Sequence, residues 1–112
     1  MDLFEKIYTL DQVKKIQPGS LILVSLNLSS HRVMTLKKWY QPWNYPEPYS
    51  TLLDFTFEEE DEISRLLLLN EIEFISSSLE AVPLEDWAGL IHLLHPKLRT
   101  KVQEWLQSKI SV

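Results

Sequence analysis

The spacing of apolar positions changes repeatedly along this chain, and each change marks an expected element. Near the amino terminus, Leu10, Val13 and Ile16 recur at a helical interval. Thr9 and Gln12 stand three apart, as an N-cap residue and its capping-box partner do. A short helix through Lys15 is expected, closed by Gln17-Pro18-Gly19-Ser20, where Pro cannot continue the helix and Gly accepts a turn's φ. Residues 20–27 (SLILVSLN) are aliphatic, bounded by turn signals, and read as a strand. Leu28-Ser29-Ser30 supplies a hairpin connection into a second strand over 31–40. Regular alternation there places Val33, Thr35 and Lys37 on one face and Met34, Leu36 and Lys38 on the other.

Residues 51–58 (TLLDFTFE) alternate most cleanly. Leu53, Phe55 and Phe57 would point inward, with Asp54, Thr56 and Glu58 toward solvent. Residues 63–69 fit helix or strand. The period-two pattern of Glu71-Ile72-Glu73-Phe74 favours strand for the stretch, broken near Asn70. From Pro83 the period becomes helical: Leu84, Trp87, Leu90, Ile91 and Leu94 share a stripe, and Glu85 and Asp86 suit the positive end of the macrodipole. His95-Pro96 interrupts that stripe, because Pro disfavours helical backbone in the residue before it. A second helix, with Leu98, Val102, Trp105 and Leu106 inward, makes an αα-hairpin or a sharp kink.

These elements predict an α+β fold in one domain, residues 1–112. A small antiparallel sheet of four to five strands would occupy about 20–76, with a short amino-terminal helix and a carboxyl-terminal helical pair over about 83–110. One helix stripe is expected to pack on the sheet face carrying Leu53, Phe55 and Phe57. The stretch Ile16-Gln17-Pro18-Gly19-Ser20-Leu21-Ile22-Leu23-Val24 resembles the way small SH3-like barrels enter their first strand, which implies a partly rolled sheet. The pattern is short and assigns no family.

Composition narrows the chemistry. The chain has no cysteine, which excludes disulfides, thiolate catalysis and cysteine zinc sites. No apolar run exceeds four residues, Leu66-Leu67-Leu68-Leu69 being one of that length, which is too short to span a bilayer, and the first residues lack a basic segment followed by an apolar one. A cytoplasmic protein with no membrane span is expected. Two distant glycines, Gly19 and Gly89, cannot form a phosphate-cradling loop. His92 and His95 lie three apart but lack a third ligand and an HExxH pattern, so no metal or other cofactor is expected. His31 beside Ser29 and Ser30 lacks an orienting acid and an oxyanion donor. No catalytic residue is assigned, and the chain reads as a non-enzyme.

The densest feature is the segment 37–49 (KKWYQPWNYPEPY), with five aromatic rings and three of the six prolines. Stiff amphipathic rings among prolines suit a recognition loop, or a lid folded onto the core. Trp39 and Tyr40, nearest the strand, are the expected core rings. Trp43, Tyr45 and Tyr49 are the expected contacts, flanked by Lys37 and Lys38.

Charge is uneven. Six basic residues face four acidic ones up to Ser50, and five face twelve from Thr51 onward. The acidic run 58–62 reads as an exposed turn in which Glu59, Glu60 and Asp61 would meet a basic partner. The leading expectation is a protein–protein interaction module: an adaptor, accessory subunit or inhibitor, with self-association open. The alternative is single-stranded nucleic acid stacked on the same rings, with Arg32, Lys37 and Lys38 at the rim. The net charge of −5 argues against it.

Overall fold

The computed structural model describes residues 3–27, 30–41, 52–61 and 63–110. Helix α1, Leu10–Lys14, starts where the capping box places it. The Thr9 N–H donates to Gln12 Oε1 at 2.9 Å, and the Gln12 N–H donates to Thr9 Oγ1 at 3.3 Å. Two orphaned donors of the first turn are thereby satisfied. The following turn closes with Ser20 N–H on the Gln17 carbonyl, and Gly19 sits at φ 95°, in the left-handed region. Gly19 N–H and Ser20 C=O then pair with Leu36, fixing the turn to the sheet.

Among the described residues, six antiparallel strands form one sheet: β1 (Glu5–Lys6), β2 (Leu21–Asn27), β3 (Ser30–Tyr40), β4 (Leu53–Phe57), β5 (Ser64–Leu67) and β6 (Ile72–Ser76). Their order is β1-β6-β2-β3-β4-β5. The α+β architecture is as expected, with six strands rather than four to five. The additional strand is β1, whose two residues carry no pattern of their own and pair only with Phe74 and Glu73. One buried cluster draws side chains from β2 through β6 (Ile22, Val24, Met34, Leu36, Phe55, Leu67 and Ile72 among them), with Val13 of α1. A sheet whose concave face closes on itself in this way must curl, and the bulge in β3 bends it.

That bulge changes the sequence expectation. Leu36 pairs with Phe57 and Lys38 with Thr56, so Lys37 is the extra residue. Alternation resets there: Leu36 is buried, Lys37 and Lys38 are both exposed, Trp39 packs against the core and Tyr40 turns out. Lys37 and Lys38 therefore do not occupy opposite faces.

The carboxyl-terminal layer covers the opposite face of β2, β3 and β6. A second cluster joins Leu21, Leu23, Val33 and Ile75 of the sheet to Trp87, Leu90, Leu94, Leu98 and Val102. The expected packing of a helix stripe on Leu53, Phe55 and Phe57 is thus corrected: those rings fill the rolled interior, and the helices pack behind β2 and β3. The first expected helix is also segmented, with 3-10 turns at Leu84–Asp86 and Ile91–Leu93 flanking the single turn α2 (Trp87–Leu90). Leu94 leaves the helix at ψ 140° to bridge Val33, and the His95 N–H donates to the Val33 carbonyl at 3.0 Å. Tertiary pairing there overrides helical periodicity. Helix α3 (Pro96–Ile110) follows, and its Arg99 Nε caps the Ile91 carbonyl at 3.1 Å.

Candidate binding surface

Directly paired residues in an antiparallel sheet project from the same face. Tyr40 lies opposite Asp54, and Asp54 opposite Leu66, so these three form one row on the convex side of β3-β4-β5. The next row holds Lys38, Thr56 and Ser64. Tyr40 is 53% exposed and Leu66 51%, while Asp54 between them is buried. The Tyr40 hydroxyl bonds to the Asp54 carboxylate, which holds the phenol above its ordinary pKa of 10.0, because ionising it would set two anions side by side. Among the described residues, Asp54 Oδ1 has no hydrogen-bond partner.

Two expectations change on this face. Tyr40 is exposed rather than a core ring, since the bulge at Lys37 rotates it outward; Trp39, half-buried, is the inward one. Asp54 and Thr56 are buried on a strand that is covered on both faces. Lys37 and Lys38 are exposed, at the root of the aromatic segment. Trp43, Tyr45 and Tyr49 lie outside the described residues.

The acidic turn is rebuilt by the fold. Glu59 and Glu60 are buried, 7% and 8% exposed, rather than displayed. The Glu59 Oε1 accepts the Thr35 N–H at 2.6 Å, while the Thr35 carbonyl accepts the Glu58 N–H at 2.9 Å. A side chain here takes the place of the main-chain acceptor that β4 ceases to supply after Phe57. Glu60 receives Arg65 Nε at 2.6 Å and Nη2 at 2.5 Å, a bidentate pair that closes the β4–β5 hairpin. The Arg65 guanidinium holds the Glu60 carboxyl below its ordinary 4.5, against the opposing effect of burial. Asp61 alone of the three expected contacts stays open, its carboxylate 79% exposed and 3.0 Å from Lys97 Nζ.

His95 sits beside this cluster as the N-cap of α3, its Nδ1 accepting the Lys97 N–H at 3.1 Å. Burial and then the Arg32 charge push its pKa below 6.5, with Glu59 and Glu60 pulling the other way. Among the described residues, no three acidic or histidine side chains gather as a metal cage, and no helix is long and apolar enough to cross a membrane. The arrangement sets an exposed phenol on β3, with Lys37 and Lys38 on the same strand, in one row with an exposed aliphatic side chain on β5. The sequence pattern missed Leu66 and Tyr40 as exposed partners, and the only available hint was the consecutive lysines, which interrupt alternation. Comparison with protein-family models, with curated proteins and with solved structures finds no match.

Proposed function

We propose that this chain is a non-enzymatic, cytoplasmic protein-binding module, an adaptor, accessory subunit or inhibitor, whose recognition surface starts at the end of β3. The observation that supports it is the Tyr40–Asp54–Leu66 row, which presents two half-exposed apolar side chains beside Lys37 and Lys38. Tyr and Trp are enriched at interface hot spots, and lysines at the rim of such a patch steer the approach of a partner. The segment continuing from Tyr40 carries Trp43, Tyr45 and Tyr49. In this reading Trp43, Tyr45 and Tyr49 are partner contacts, and Asp61 supplies the reachable carboxylate of the acidic turn.

Immobilised protein incubated with a native lysate tests this reading. Proteins retained by the wild type should be lost from Trp43→Ala/Tyr45→Ala and depleted at least about fivefold by Tyr40→Ala, since hot-spot truncations cost about 1 kcal/mol or more. The thermal midpoint of the double variant should stay nearly unchanged. A large fall in that midpoint would instead identify the rings as core.

A second reading rests on the bulge, which exposes Lys37 and Lys38 together next to Tyr40. Single-stranded nucleic acid uses such stacking rings and cations. Titration with an oligothymidylate at low salt separates the two readings, and absence of binding there eliminates the second.

A further inference from the structure

The two outer strands of the sheet are protected differently. β1 is two residues long, and both, Glu5 and Lys6, are charged and exposed. Short length and charge are devices by which a sheet edge repels further strands. β5, at the other edge, has four residues and pairs only with β4 among the described residues. Its single charge, Arg65, is held by both carboxylate oxygens of Glu60. No proline or lysine lies on it, and Ile63 and Leu66 stand 56% and 51% exposed along it.

Both ends of this edge are fixed. Before it, the Ile63 N–H donates to the Glu60 carbonyl at 3.0 Å; after it, the Leu68 N–H donates to Glu71 Oε1 at 2.8 Å. Between these points, alternate residues of a strand paired on one side direct N–H and C=O away from the sheet. Water satisfies such groups singly, whereas another extended chain repeats donors and acceptors at the same spacing and satisfies them together. The backbone itself therefore names the occupant. Its side chains are constrained as well. A residue opposite Leu66 continues the row Tyr40–Asp54–Leu66, where an apolar side chain would cover the exposed leucine. The residue two positions away on the same face meets Ser64, which accepts a polar neighbour.

We propose that the partner binds as an extended segment that adds a strand to β5, with an apolar side chain beside Leu66. The inference rests on the reading of the Tyr40–Asp54–Leu66 row as a recognition surface, and it adds the conformation in which the partner is held.

A displayed library of random peptides, about ten residues long and so ample for one strand, is panned on the full chain. Enriched sequences should carry apolar residues at every second position. The tightest peptide is then remade with N-methyl groups on alternate residues, in two registers. A strand on an edge turns only every second N–H to the sheet, so one register should abolish binding and the other should leave it within about twofold. Leu66→Lys, a charge placed on the edge, should weaken binding about tenfold or more with an unchanged circular dichroism spectrum. A library without binders, N-methyl registers that act alike, or indifference to Leu66→Lys overturns the inference. Any of these results alongside Tyr40-dependent capture of proteins from lysate would refute strand addition alone and leave the binding-module reading standing.

Discussion

His95 is a residue whose protonation the fold can sense. As the N-cap of α3 it needs a neutral Nδ1 to accept the Lys97 N–H. Protonation removes that acceptor and sets a cation at a helix N-terminus, where the macrodipole opposes it. Its surroundings act in both directions: burial, Arg32 and Lys97 disfavour the cation, while Glu59 and Glu60 favour it. The net lowering means the unfolded chain binds more protons than the folded one. The stability contributed is complete above the unfolded value near 6.5 and is lost as pH falls through the lowered folded value. Glu60, also lowered, adds a second loss that starts near 4.5 and runs below it. His95→Asn keeps a cap acceptor without a titrating ring. Urea unfolding across a pH series should show stability at neutral pH within about 0.5 kcal/mol of wild type. The decline just below pH 6.5 should flatten, and an unchanged slope would assign it to another group. The role of His95 as a helix boundary was readable from the proline after it. The burial of Glu59 and Glu60 was not, because a run of like charges carries no sign that Thr35 and Arg65 will fold against it.

Elements in this protein divide by whether their cause is local. The α1 capping box and the turn at Gly19 are local, and both form where the residue types put them. A Cβ on Gly19 would meet no atom within 4 Å, so its cost is purely conformational. Gly19→Ala should lower stability by about 1 kcal/mol, and Gly19→Asn by less, because Asn tolerates positive φ better. Equal urea midpoints for wild type and the alanine variant would show that the turn relaxes. The segmented helix before α3 has a non-local cause. Its stripe was legible as helical, but Leu94 is claimed by Val33 and the chain must extend to reach it. The bulge at Lys37 belongs to the same class. Residues 37 and 38 are alike in type, and only pairing with Phe57 and Thr56 on β4 decides which is extra. Since Tyr40 lies downstream of that extra residue, its exposure was inverted along with the register.

Across the whole molecule, strands β2 and β3 serve two cores at once. Ile22, Val24, Met34 and Leu36 face the rolled interior, and Leu21, Leu23 and Val33 face the helical layer. Neither core can lose order without disturbing strands that line the other. Phe55→Ala, deep in the interior, should therefore cost about 3 to 4 kcal/mol. It should also speed amide exchange at Val102 in α3 by the same free energy, as one cooperative unit. Protection at Val102 that survives the substitution would mean the two layers unfold separately. Hydrophobic periodicity was enough to establish strands, helices and an α+β class, because burying one face is a property of each segment alone. Which face meets which layer was settled by the chain's folding onto itself. Curling the sheet consumed the Phe55 face internally and left the helices the back of β2 and β3. The same closure turned Glu59 and Glu60 into internal partners and left Tyr40, Leu66 and Leu84 facing water. Alternation marks a side chain as inward or outward only while one side of a strand is open, and here β4 has neither side open.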